Sequence, residues 1–253
     1  MDRQSLLAGT HAVVTGGAVN IGRAITQSLA RAGARVTILY HTSRDEAALT
    51  AEELTREGAF VDTVEADIQD EDHLRAAFRE AGRRYGEIDI LVNNAGIFHL
   101  GLQDELDRYD WDRVFEITTR SVFLCSREVL PSMKNNRKGS IVNIASINAL
   151  QPGFGKTAHY DAAKAAVAGY TRSLAAEVGP FGIRVNAVAP GLTDSARLRR
   201  DAPDLIRHYE QRSPLGRLVQ DRDIASAVLF FASSESSAVT GTILPVDCGY
   251  MLT

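Results

Sequence analysis

Five short runs rich in valine and isoleucine punctuate the chain: AVVTGG at 12–17, RVTILY at 35–40, DILVNNAG at 89–96, GSIVNIAS at 139–146 and IRVNAVAPG at 183–191. Uninterrupted β-branched runs of this length suit parallel strands covered on both faces. The stretches between them supply the covers. Ile21, Ile25, Ser28, Leu29 and Ala32 mark one face of a helix that Gly33 would end, and segments 110–134 and 158–178 read as longer helices. Such alternation predicts an α/β fold with a doubly wound sheet. TGTILPVDCGY at 240–250 reads as a last strand. No linker, internal repeat or compositional shift divides the 253 residues, so one domain is expected.

Composition narrows the function. A formal charge of −4, spread along the chain, implies neither a nucleic-acid nor an anionic-membrane partner. Cys125 and Cys248 lack the paired spacing of a disulfide framework or zinc site, so no metal is expected and a reducing cytoplasm fits. The first ten residues lack the apolar core of a signal peptide, and no apolar run reaches the ~20 residues of a membrane span. A cytoplasmic location is therefore expected.

The first strand runs straight into Thr15-Gly16-Gly17-Ala18-Val19-Asn20-Ile21-Gly22, and a helical pattern begins at once. A pyrophosphate can sit at such a helix start, because free N–H groups and the helix dipole favour an anion while glycine admits close approach. A plain tight turn is the alternative. In a second place, Tyr160 and Lys164 lie at i and i+4 of a helical stretch and so share a face. Taken alone, such a pair is usually a packed ring and a solvated ammonium. A neighbouring ammonium would, however, favour the phenolate and bring a phenol of pKa about 10 nearer to the operating pH. Tyr160 would then act as acid in reduction and base in oxidation.

Several motifs in one order strengthen the functional alternative. The glycine turn, Asp67-Ile68, Asn93-Asn94-Ala95-Gly96, Ser146, the Tyr160/Lys164 pair and Pro190-Gly191 resemble those of the short-chain dehydrogenase/reductase family, over nearly the whole chain. The similarity is to its single-domain members, such as 3-oxoacyl reductases and related carbonyl reductases. The resemblance implies a Rossmann fold, with a mainly parallel seven-stranded sheet and helices on both faces. It further implies a nicotinamide cofactor held by Gly16, Asn20, Ile21, Gly22, Asp67, Ile68, Asn94, Ala95, Gly96, Pro190, Gly191, Thr193 and Ser195, besides Tyr160 and Lys164. Lys164 would bond the nicotinamide ribose, and Ser146 the substrate oxygen. Two positions depart from the pattern. Asn20 replaces the usual middle glycine, although asparagine tolerates a left-handed backbone. Thr118 stands where the family has a catalytic asparagine; it can hold a relay water, but with fewer and shorter-reaching groups.

The second strand ends at Tyr40, not at the acidic residue that accepts from the ribose of NAD. His41, Thr42, Ser43 and Arg44 follow, offering hydroxyls and positive charge, so NADP(H) is favoured over NAD(H). Phe98, His99, Asn148, Gln151 and Phe154 follow the strands and are the candidate substrate contacts, under a flexible lid at about 192–215. The expected reaction is reduction of a ketone or 3-oxoacyl group, free or carrier-bound. A polyol, sugar or other secondary alcohol dehydrogenase is open within the class, and a catalytically silent nucleotide-binding regulator outside it. The apolar character of 110–134, 158–178 and the C-terminal segment GTILPVDCGYMLT predicts a homotetramer, or failing that a homodimer.

Overall fold

A computed structural model describes residues 5–253. Seven strands, all paired in parallel, form one sheet in the order β3-β2-β1-β4-β5-β6-β7. They are β1 (His11–Thr15), β2 (Arg35–Tyr40), β3 (Val61–Glu65), β4 (Ile90–Asn93), β5 (Gly139–Ile144), β6 (Ile183–Pro190) and β7 (Ile243–Val246). Helices α1 (Asn20–Arg31), α2 (Arg44–Arg56), α3 (Glu71–Tyr85), α4 (Arg108–Phe115), α5 (Ser121–Asn136) and α6 (Ala158–Val178) follow the first five strands. After β6 come α7 (Ala196–Asp201), α8 (Pro203–Arg212) and α9 (Asp221–Ala232).

The central strands are largely apolar because successive side chains enter opposite cores. Val14, Ile38, Val92 and Val142 pack with α1, α2 and α9 through Ile25, Leu29, Leu54, Val228 and Phe231. Their neighbours Val13, Leu39, Leu91 and Ile141 pack with α3, α5 and α6 through Leu74, Phe78, Leu124, Val129 and Leu174. Burying each of the larger side chains stabilises the fold by about 1.5–3 kcal/mol. The order 3-2-1-4 reverses direction beside β1, so a crevice opens beyond the carboxyl ends of β1 and β4.

The expected helix at 158–178 is α6, whereas that at 110–134 is interrupted by a π-helical turn, Glu116–Arg120, between α4 and α5. The expected lid contains α7 and α8, and Leu198, Ile206 and Tyr209 anchor it against Ile147, Leu218 and Tyr250. At the sheet's edge, the carbonyls of Thr242, just before β7, and of Val246 accept from the N–H groups of Ala187 and Gly191. The intervening Pro245 therefore turns outward the place where an N–H would be. No helix among the described residues is long and apolar enough to cross a membrane.

Candidate active site

The glycine turn is built by close approach. Gly16 has φ +61 and Asn20 φ +48, so the asparagine adopts the left-handed backbone for which the family pattern uses glycine. A Cβ on Gly22 would lie 2.0 Å from the Gly16 carbonyl oxygen, which brings α1 down onto the turn. Asn94 fastens it from the other side: its side-chain amide donates to the carbonyls of Thr15 at 3.0 Å and Gly16 at 3.1 Å. The backbone N–H groups of Asn94 and Ala95 both donate to Thr15 Oγ1 at 3.0 Å. The first turn of α1 carries neither a capping side chain nor a carboxylate, which suits a bound phosphate. These residues fit a dinucleotide.

At the end of β2, Tyr40 is half-buried while His41 and Thr42 are exposed. Tyr40 stands in register with Glu65 of β3, and Arg44 pairs with that carboxylate. His41 Nε2 lies 3.9 Å from Asp67 Oδ2. The Arg44 charge that a 2′-phosphate would draw on is thus already shared with Glu65. Asp67 also accepts from Gln69 N at 2.9 Å, and Ile68 packs on the second core.

Ser146 follows β5, buried, and its Oγ accepts from Asn148 N at 3.2 Å. Tyr160 and Lys164 face it from α6. The Lys164 ammonium reaches across to the Ile144 carbonyl at 2.7 Å, and Nζ is 5.7 Å from the Tyr160 ring centroid. Burial pushes the lysine down to about 8. Burial likewise pushes the Tyr160 phenol up to about 12, against a hydrogen bond with Ser146 that acts the other way; the Asp161 charge adds to the rise. The expectation that the ammonium lowers the phenol is therefore reversed in the protein alone, because desolvation of the phenol dominates. The resting phenol keeps its proton at neutral pH.

Thr118 sits in the π turn, buried, with Oγ1 unpartnered. A Cβ on Gly96 would lie 3.6 Å from Lys164 Nζ and 3.7 Å from Thr118 Oγ1, so all three border one small space. Phe98 packs edge-on against the Tyr160 ring at 5.0 Å. His99 instead meets His159 edge-on at 5.6 Å and lies 3.8 Å from Asp110.

A cavity of about 350 Å³ opens beside Ser146, lined by Ile147, Asn148, Gln151, Pro152, Gly153 and Phe154 with His208, Arg212 and Tyr250. Three expected substrate contacts, Asn148, Gln151 and Phe154, are thus brought together; Phe98 and His99 lie outside it. The α8 wall, His208 and Arg212, falls within the segment expected to form the lid, whereas sequence reading missed the C-terminal wall at Tyr250, which no local pattern marks. It also missed Asp161, whose carboxylate accepts from Asn148 Nδ2 at 2.6 Å, Gly153 N at 3.0 Å and Thr157 Oγ1 at 3.1 Å. That clasp ties the cavity loop to the turn carrying Tyr160. The only available signal was an acid next to the tyrosine.

Pro190-Gly191 ends β6, and a Cβ on Gly191 would lie 2.0 Å from Tyr209 Oη, which itself donates to the Asp247 carbonyl at 2.7 Å. Packing alone therefore demands glycine there. Thr193 Oγ1 donates to the Gly191 carbonyl at 3.2 Å, and Ser195 caps α7 by accepting from Leu198 N at 3.1 Å.

The family described as enoyl-(acyl carrier protein) reductase matches residues 16–251. The 3-oxoacyl-(acyl-carrier-protein) reductase FabG of Staphylococcus aureus is 36% identical over 238 residues, 94% of this chain and 96% of its own. A cyclopentanol dehydrogenase from Comamonas is 38% identical over 240 residues, 94% of this chain and 95% of its own. Among solved structures, a gluconate 5-dehydrogenase from Burkholderia cenocepacia in complex with NADP and tartrate superposes with a TM-score of 0.92 at 32% identity. That match covers 99% of this chain and 98% of the other.

Proposed function

The chain belongs to the short-chain dehydrogenase/reductase family of oxidoreductases, and from that premise we propose that it reduces a ketone or 3-oxoacyl group to the secondary alcohol with NADPH. The convergence of Ser146, Tyr160 and Lys164 beyond the carboxyl end of β5 carries this reading. The nicotinamide cofactor supplies the hydride. Ser146 Oγ–H donates to the carbonyl oxygen and holds it against the phenol. Tyr160 then passes its proton to the oxygen as negative charge develops there. A phenol raised to about 12 is an acid held in its protonated form, which suits reduction better than oxidation. Lys164, near 8, sits where it can bond a ribose and replenish that proton, and the space beside Thr118 Oγ1 can hold the water that feeds it.

The choice of NADPH rests on the absence of an acid at Tyr40 and on the hydroxyls of Thr42 and Ser43. The Arg44–Glu65 pair makes that choice depend on the arginine turning away from its partner. The cyclopentanol and gluconate dehydrogenases among the relatives favour a second reading, alcohol oxidation at the same site. We further place the enzyme in the cytoplasm as a homotetramer or homodimer, one domain with its substrate lid at 192–215.

Absorbance of the reduced nicotinamide tests this. Mixed with NADPH or NADH and a panel of cyclic ketones, 3-oxoacyl thioesters and oxo sugar acids, the protein should consume NADPH preferentially. Tyr160→Phe should keep the melting temperature and cofactor binding yet lose about a hundredfold or more in kcat, since only the transferable proton is removed. Near wild-type rates in that variant would remove Tyr160 from the mechanism. Cofactor binding with no turnover on any substrate would favour a silent nucleotide-binding regulator.

A further inference from the structure

We propose that the cavity beside Ser146 recognises a carbonyl substrate bearing a carboxylate, and that Arg212 determines this specificity; the inference rests on the reductase reading above.

The α7–α8 segment carries five arginines, and four have carboxylate partners. Arg197 and Arg200 pair with Asp201, Arg199 with Asp194 and Arg207 with Asp204. Arg212 has no Asp or Glu ion-pair partner among the described residues, and it is the one that lines the cavity. Four satisfied arginines are what a solvated helical segment provides by default. The fifth is instead held by aromatic and backbone groups: its guanidinium stacks over the Tyr250 ring at 4.6 Å, Nη1 donates to Tyr250 Oη at 3.1 Å, and Nη2 donates to the Thr253 carbonyl.

That arrangement fixes a planar fork of five N–H donors while leaving some of them free. Tyr250 is itself locked by stacking on buried Tyr209 at 4.3 Å and 3°. His208 stands one helical turn before Arg212 and lines the same space. Among the described residues no Asp or Glu lines the cavity. Of the acids beside it, Asp161 is saturated by Asn148, Gly153 and Thr157, and Asp247 accepts from the Gly249 and Met251 N–H groups. Ile147, Phe154 and Tyr250 supply apolar wall area around the guanidinium. The volume of about 350 Å³ lies at the small end of ligand pockets. A neutral ketone would leave the remaining donors of the fork unused. A small oxo acid would place its carbonyl at Ser146 and Tyr160 and its carboxylate on Arg212.

The test compares 4-oxopentanoate and 5-oxohexanoate with their methyl esters, using NADPH, for wild type, Arg212→Gln and Arg212→Lys. A charge-assisted bidentate contact should make kcat/KM for at least one acid exceed that of its ester by about tenfold or more. Arg212→Gln should abolish the preference mainly through KM, and Arg212→Lys should restore part of it. Equal values for acid and ester in wild type overturn the proposal and leave the reductase reading standing. An equal loss on acid and ester in Arg212→Gln also overturns it, because Arg212 would then only fasten the C-terminal turn. If no ketone of any kind is reduced, the reductase reading fails, and calorimetric binding of 4-oxopentanoate against its methyl ester decides the cavity by itself. Acid-selective binding lost in Arg212→Gln supports carboxylate recognition, and absence of any selectivity overturns it.

Discussion

Lys164 and Tyr160 are both held away from their solution behaviour by burial, and this makes stability depend on pH in two opposed windows. An unfolded lysine titrates near 10.5 and this one near 8, so between those values the unfolded chain binds a proton that the folded chain does not. Stability therefore rises with pH from about 8 to about 10.5. Tyr160 behaves oppositely: from 10 to about 12 the folded state keeps the proton, and stability falls as pH rises. Lys164→Met should flatten the first window, whose amplitude is about 3 kcal/mol at most. Denaturant unfolding at pH about 7.5 and about 9.5 measures it, and an unchanged slope in the variant would mean that the lysine is solvated in the resting protein. Thr118 offers a cleaner separation of stability from function. Its hydroxyl is buried without a partner, so Thr118→Val should keep or raise stability by about 1 kcal/mol while kcat falls. If melting temperature and kcat both stay the same, the threonine is a spectator.

Segments remote in sequence meet at single atoms in this fold, and Gly191 is the sharpest case. Gly191→Ala sets a methyl group against Tyr209 Oη and the Asp247 backbone, and should destabilise by about 1–3 kcal/mol. Tyr209→Phe removes the nearer obstacle, so the same alanine should cost less in that background; a double-mutant cycle by chemical denaturation reads the difference. Strict additivity would show that α8 moves aside freely. Such meetings explain what the sequence left unread. The central strands are legible because both faces are apolar, but β3, VDTVE, buries only Val61 and Val64 and reads as a polar connection. The π turn at Glu116–Arg120 changes no residue type and leaves no periodic mark. Ser146, Tyr160 and Lys164 are legible as motifs and do come together, whereas the Asp161 clasp depends on how residues 147–157 fold back. The opposing phenol shift was unreadable because burial is a property of the packed site and not of residue spacing.

On the outer surface of the fold, Phe123 of α5 is 45% exposed beneath the Arg127 guanidinium, and Tyr109 and Trp111 of α4 are 69% and 40% exposed. The solvent side of α6 exposes the small residues Ala165, Gly169, Ser173 and Ala176 alongside Arg172 and Glu177. The proposed oligomer would bury these faces against copies of themselves. Light scattering should give four times the 27.5 kDa chain mass, or twice it, and Phe123→Glu should lower the value; a wild-type mass of one chain would refute assembly. The open end of the sheet behaves differently. A bare parallel edge normally invites a passing extended segment to hydrogen-bond along it, the first step towards fibrous precipitates. Pro245 faces outward from β7 with no amide hydrogen to offer, so that ladder is broken at its middle. The protein can therefore carry an apolar strand at its margin through synthesis and concentration in the cell without seeding β-sheet growth from it.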